Sequence, residues 1–129
     1  MANRKITLTK EGTARLEKVM IHLDLPDNRP EAIRIALVKG LIDPGSPPTE
    51  VKGTPGGFTF GDGTIAKELD YLMFKHLIIE KLQKNIDDDK QIDKYIHIFA
   101  EHGLAIMDKE IDSLSDLDNY MLYLVEAGK

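Results

Sequence analysis

Arg4-Lys5-Ile6-Thr7-Leu8-Thr9-Lys10-Glu11 sets how the chain begins. Polar and apolar residues alternate from Arg4 to Leu8, the period of a short strand. Ile6 and Leu8 then point inward, and Lys5 and Thr7 point outward. Thr9 ends the alternation and offers a hydroxyl to cap a helix. From Lys10 to His22 the spacing turns helical: Leu16, Val19, Met20 and Leu23 share a face, and Lys10, Glu11, Arg15 and Lys18 take the others. Gly12 costs that helix about 1 kcal/mol relative to Ala.

Outward from this opening, Leu25 to Pro30 reads as a turn into a second helix, with Asn28 or Arg29 near its cap and Pro30 in the tolerant first turn. That helix presents Ile33, Ala36, Leu37 and Val38 and is expected to stop between Gly40 and Pro44. Strand, helix, helix is the order of a ribbon-helix-helix unit, here residues 1 to 42. A lone strand leaves backbone donors and acceptors unpaired. Two arrangements answer this: a strand from a second subunit, forming a two-stranded ribbon, or packing of the strand on its own domain.

Residues 43 to 63 form a Pro- and Gly-rich connection. Only Gly57-Phe58-Thr59-Phe60 suits an extended piece, with both aromatics on one face. From Thr64 to Gln83 there is no Pro or Gly. Ile65, Leu69, Leu72, Met73, His76, Ile79 and Leu82 predict one long buried helix, the central one. Asn85 to Asp89 breaks the pattern. Ile92, Tyr95, Ile96 and Phe99 mark a fourth helix closed by Gly103, and Leu104 to Ile111 is ambiguous. Ser113 or Ser115 caps a last helix through Asp116, Leu117, Tyr120, Met121, Leu124 and Val125. The expected fold is mainly α: a short N-terminal strand plus about five helices in a single domain, 1 to 129, with 64 to 129 as its helical part.

The chain's 129 residues, with 17 Lys and Arg against 22 Asp and Glu, carry a formal charge of -5. A chain of this length holds one continuous core and needs no metal or disulfide staple. It has no cysteine, which excludes a disulfide framework, a thiol nucleophile and Cys-held metals within the subunit. MANRKITLTKEG lacks the apolar stretch of a secretory signal, and no run approaches the roughly 20 apolar residues that span a bilayer. A cytoplasmic protein without membrane contact is expected. The charge is uneven: residues 1 to 42 balance at +3 and residues 43 to 129 at -8. Counterion release rewards local cation clusters, so any contact with phosphates belongs to the N-terminal third. Lys5, Thr7, Lys10, Arg15, Lys18 and Arg29 are the expected DNA-binding residues, with the start of the second helix offering N–H groups to a phosphate.

Enzymatic patterns are missing. His97 and His102 are five apart, off the i, i+4 spacing of paired ligands, and there is no HExxH. Asp87-Asp88-Asp89 lacks the alternation and glycine of a calcium loop and reads as a solvated cap. Gly61-Asp62-Gly63-Thr64 lacks the Lys-Ser/Thr ending of a phosphate-binding loop. Tyr71, Met73 and Phe74 read as core or subunit contacts. The expectation is a non-enzymatic chain with no cofactor and no metal site.

Three segments carry a family likeness: Arg4 to Glu11 running on to Arg15-Leu16; Arg34-Ile35-Ala36-Leu37; and Phe60, Thr64-Ile65, Glu68, Asp70 and Leu72. In order and spacing, across residues 4 to 82, the chain resembles the DndE proteins of bacterial DNA sulfur modification (phosphorothioation). The resemblance implies a ribbon-helix-helix-like, homo-oligomeric protein without enzymatic chemistry, which binds duplex or nicked DNA and serves other sulfur-modification proteins. Two other readings stand beside it. One is an assembly module docking through its acidic C-terminal half on a sulfurtransferase or ATPase component. The other is a ribbon-helix-helix transcriptional regulator, which needs base-reading side chains that the exposed strand hardly supplies.

Overall fold

A computed structural model describes residues 4–25, 27–114 and 123–125. Its elements are β1 (Lys5–Thr7), α1 (Lys10–His22), α2 (Arg29–Ile42), β2 (Thr59–Gly61), α3 (Asp62–Ile65), α4 (Glu68–Leu82) and α5 (Asp89–Asp112). The protein is mainly helical, with one two-stranded antiparallel sheet, as its periodicities predict.

The strand's partner comes from its own chain. β1 pairs with β2 in the register Lys5↔Gly61, Ile6↔Phe60 and Thr7↔Thr59. Leu8 donates to the Phe58 carbonyl (2.9 Å) and Asp62 to the Arg4 carbonyl (2.8 Å), which extends the ladder at both ends. A strand from a second subunit is therefore not needed to satisfy β1. Alternation puts Ile6 and Phe60 in the core and leaves Thr7 and Thr59 outside, their hydroxyls 2.8 Å apart. Phe58 and Phe60 stack with centroids 6.4 Å apart, the shared aromatic face expected for this piece. The Pro- and Gly-rich connection is pinned back on the start of α1: Lys10 donates to the Thr54 carbonyl, and Thr54 donates to Glu11 through both its amide and its hydroxyl.

The core is organised around α2 crossing α5. Ala32, Ile33, Ala36 and Leu37 meet Ile92, Ile96, Phe99, Ala100, Leu104 and Met107, all buried. At the crossing the backbones nearly touch, because a glycine stands on each side. A Cβ built on Gly103 would lie 1.7 Å from the Ala36 carbonyl oxygen, and one on Gly40 would lie 2.1 Å from that of Phe99. α1 packs beside them through Leu16, Val19 and Met20. Its N-terminus is fastened to α5 by buried Glu101, which accepts from the Thr9 amide (2.7 Å), the Thr9 hydroxyl (3.1 Å) and His97 Nε2 (3.0 Å). Thr9 Oγ1 accepts in turn from the Gly12 amide, the predicted cap. Gly12 leaves the space Glu101 occupies, since its Cβ would sit 2.1 Å from Oε1. The loss of helix propensity there makes room for a buried carboxylate.

Four expectations need correction. The helix predicted from Thr64 to Gln83 breaks at Ala66 and Lys67, where the backbone is extended. Arg34 Nε takes the Ile65 carbonyl at 2.7 Å, the acceptor that a continuous helix would have given to the Leu69 amide. The buried face of α4 is Tyr71, Phe74 and Ile78, whereas Leu69, Leu72 and Met73, read as core, are exposed. Finally, Gly103 does not end a helix. α5 runs unbroken through it to Asp112, absorbs the ambiguous Leu104 to Ile111, and holds the central place assigned to the earlier helix. Val38, grouped with the buried residues of α2, is partly exposed. Of the expected last helix, Tyr123, Leu124 and Val125 are helical, while Asp116, Leu117, Tyr120 and Met121 lie outside the described residues. Among the described residues, no helix is long and apolar enough to cross a membrane.

Candidate functional site

The six residues expected on a DNA-facing surface divide into two groups. Lys5 and Thr7 are exposed on the outer face of the ribbon, and Lys10 is exposed in the first turn of α1. The other three are engaged by the protein's own carboxylates. Lys18 Nζ lies 2.7 Å from Asp108 and also bonds Asp112, and Arg15 Nε is 3.7 Å from Asp108. The Lys18 pKa is raised, chiefly by its hydrogen bonds to Asp108 and then Asp112. Arg29 reaches Glu17 at 2.8 Å and lies over the Phe58 ring, 5.3 Å from its centroid. The start of α2 is closed by Asn28, whose side chain accepts from the Glu31 amide.

A different cation group lines a groove between β1 and the first turns of α5. Arg4, Lys5, Lys90, Lys94 and His97 border it, with Thr7 and Asp93. Lys90 and Lys94 share a helix face at i, i+4. Neither they nor Lys5 has a carboxylate within 4.0 Å among the described residues. Arg4, by contrast, faces Asp89 at 3.9 Å. The ladder bonds of Arg4 and Leu8 to β2 leave the Lys5 and Thr7 amides on the opposite edge, away from β2.

Asp93, which lines the groove, and Asp62, buried behind it, bring two carboxylates close to these cations. Asp62, at the start of α3, accepts the Arg4 amide on Oδ1 (3.0 Å), and Asp93 Oδ1 accepts the Tyr71 hydroxyl (2.8 Å). Asp62 Oδ2, Asp93 Oδ2 and Arg4 Nη1 are buried without a hydrogen-bond partner. Burial pushes the Asp93 carboxyl up to about 6; the Tyr71 hydrogen bond pulls it down, while the Asp62 carboxyl pushes it further up. Burial and then Asp93 push the Tyr71 hydroxyl far above its usual range, so it stays a donor. A raised carboxyl pKa favours the folded state at low pH, and that contribution is lost as the pH rises through about 6. Asp93→Asn keeps an acceptor for Tyr71 and supplies a donor for Asp62. It should stabilise the protein by about 1–2 kcal/mol at neutral pH and leave it unchanged near pH 4, read by urea unfolding at both.

The remaining polar motifs are absorbed structurally. Asp62 fills the start of Gly61-Asp62-Gly63-Thr64 with the chain's own carboxylate and is fully buried. Asp88 caps α5 by accepting from the Lys90 amide, and Asp89 faces Arg4 and Lys75. His97 pairs with Glu101 and His102 with Asp43, each at 3.0 Å, so the two histidines have separate partners. Among the described residues, no group of three or more His, Asp or Glu is placed to hold a metal ion.

Among the described residues, the outer face of α4 is an exposed apolar feature. Leu69, Leu72, Met73 and Leu77 fall at i, i+3, i+4 and i+8 on the outer face of α4, with exposures from 40% at Leu77 to 81% at Leu69. A shallow groove links Leu77 to Val38 and Ile42 at the end of α2, which carries the strip onto a second helix. Single exposed leucines are ordinary; a contiguous strip over two helices marks an interaction surface. The sequence pattern placed Leu69, Leu72 and Met73 on the buried side of the helix and did not single out Leu77; the available signal was that α4 is apolar on two faces. No protein-family model and no curated protein matches the chain.

Proposed function

We propose that this chain is a non-enzymatic assembly subunit of a DNA sulfur-modification system, as its likeness to the DndE proteins implies, and that it works by protein contact through α4. The observation that carries the reading is the exposed strip Leu69, Leu72, Met73 and Leu77, continued by Val38 and Ile42. It replaces the acidic C-terminal half as the docking surface, since Asp108, Asp112 and Glu110 are already bound to Lys18 and Lys39. Leu72→Asp with Leu77→Asp should leave the fold intact by circular dichroism, because both side chains are exposed. It should abolish copurification with the co-expressed cysteine desulfurase, sulfurtransferase and ATPase components. Undiminished copurification would overturn the reading.

A second reading, contact with the DNA backbone, is favoured by Lys5, Lys90 and Lys94 beside β1, which have no carboxylate within 4.0 Å among the described residues. Affinity for duplex DNA should then fall steeply with salt, and each of these lysines reversed to Glu should lower the log–log slope by roughly 0.9, with little dependence on sequence. Arg15→Gln with Lys18→Gln should change affinity little. No retention on DNA at low salt would reject this reading.

A further inference from the structure

We infer that the open edge of β1, with the first turns of α5 beside it, takes an acidic peptide in extended form as a third strand. This surface is separate from the α4 strip, and the inference stands whether or not that strip binds a partner. Arg4, Ile6 and Leu8 turn their backbone groups to β2, so Lys5 and Thr7 each turn an amide and a carbonyl the other way. Among the described residues, none of these four groups has a hydrogen-bond partner. Two residues after Thr7 the same edge is closed, where the Thr9 amide donates to Glu101. Short of that point a groove of about 310 Å³ between β1 and α5 leaves room for a short segment. Three residues laid antiparallel to β1 would exchange two bonds with Lys5 and two with Thr7, the usual way an exposed edge captures a peptide. Charge selects the segment. Lys5, Lys90 and Lys94 are exposed around the groove with no carboxylate within 4.0 Å among the described residues. The Lys94 ammonium stands over the Tyr95 ring, 6.0 Å from its centroid. Asp93, the acid among the lining residues, is buried and accepts from Tyr71. Side chains of an added strand alternate between the outer face, where Lys5 stands, and the side of α5, so acids at successive positions meet a lysine on either side. A nucleic-acid backbone fits less well. Its phosphates bring acceptors alone, which suit the lysines and the two amides but meet the Lys5 and Thr7 carbonyls with like polarity. A second copy of β1 fits worse, since it would bring the same lysines face to face.

The test titrates the full chain with acetyl-Val-Glu-Glu-Glu-Val-amide at low salt and follows the exchange of single backbone amides with solvent by nuclear magnetic resonance. On saturation the Lys5 and Thr7 amides should exchange more slowly by about tenfold or more, while Ile6, already bonded to β2, should change little. Lys90→Glu with Lys94→Glu, both exposed, should weaken the peptide by about tenfold or more with unchanged circular dichroism. The neutral acetyl-Val-Gln-Gln-Gln-Val-amide should bind the wild type comparably weakly. Thr7→Pro removes an amide that β2 does not use and should weaken the acidic peptide as well. Should that variant fail to fold, the exchange measurement on the wild type decides alone. No binding of the acidic peptide, binding that leaves Lys5 and Thr7 exchanging as in the unliganded chain, or an affinity unchanged by the double reversal would each overturn the inference. Duplex DNA that binds through Lys90 and Lys94 while the peptide does not would assign the groove to nucleic acid and overturn it equally.

Discussion

Gly103→Ala is expected to cost at least about 3 kcal/mol, the upper end of what overpacking exacts. By propensity alone the change should stabilise the middle of α5 by about 1 kcal/mol, so even the sign of the result is informative. The obstacle is backbone: the new Cβ would stand 1.7 Å from the Ala36 carbonyl oxygen and 2.6 Å from its carbon. A carbonyl inside α2 cannot rotate aside, so the two central helices must separate and loosen Ile33, Ala36, Phe99 and Ala100 together. Gly40→Ala meets the Phe99 carbonyl at 2.1 Å from the other side and should act alike. The two should be far from additive, because once the helices part the second methyl finds room. Urea unfolding followed by circular dichroism reads all three variants.

Glu101→Ala is expected to cost about 3 kcal/mol, since hydrogen bonds to a charged group contribute roughly 1.5–3 kcal/mol and a buried donor left unpaired costs more still. The carboxylate is the acceptor for the Thr9 amide and hydroxyl and for His97, and its loss strands the Thr9 amide in a buried site. It also frees the start of α1 from α5, where β1 ends. Burial alone would raise the Glu101 pKa; the bonds from His97 and Thr9 outweigh it and hold the carboxyl below its usual range. A lowered pKa contributes stability above the unfolded value and loses it as the pH falls. The wild type should therefore lose this contribution in acid, whereas Glu101→Ala should not. Glu101→Gln, which keeps one acceptor and the shape, should fall between them. This dependence runs opposite to that of Asp93, so the two variants separate the acid limb of the stability profile from the neutral one.

Local features of the fold were legible and nonlocal ones were not. Thr9 as a cap, Asn28 and Pro30 opening α2, and Asp88 opening α5 are decided within a few residues, and each stands where expected. The partner of β1 lies across the Pro- and Gly-rich connection, where no period reaches. Gly103 carries a terminator's signal, and only Gly40 on another helix explains its place mid-helix. α4 shows why periodicity can find a helix and misplace its buried side. Tyr71, Phe74 and Ile78 form one apolar face and Leu69, Leu72, Met73 and Leu77 another, so the pattern is apolar nearly all round. Reading the second face as core hid the surface on which the functional proposal now rests. The ion pairs of the expected cation group were hidden for a related reason: the partners of Arg15 and Lys18 are Asp108 and Asp112, ninety or more residues away along the chain.

Peroxide footprinting of Met73 tests most directly whether protein covers the α4 strip. Thioether oxidation follows exposure, and buried Met20 and Met107 serve as internal references for the fold. In the complex with the co-expressed components Met73 should oxidise nearly as slowly as these two, and in the isolated chain or after Leu72→Asp with Leu77→Asp it should oxidise many times faster. Met73 reacting at the rate of a free methionine with the co-expressed components as without them would contradict the account.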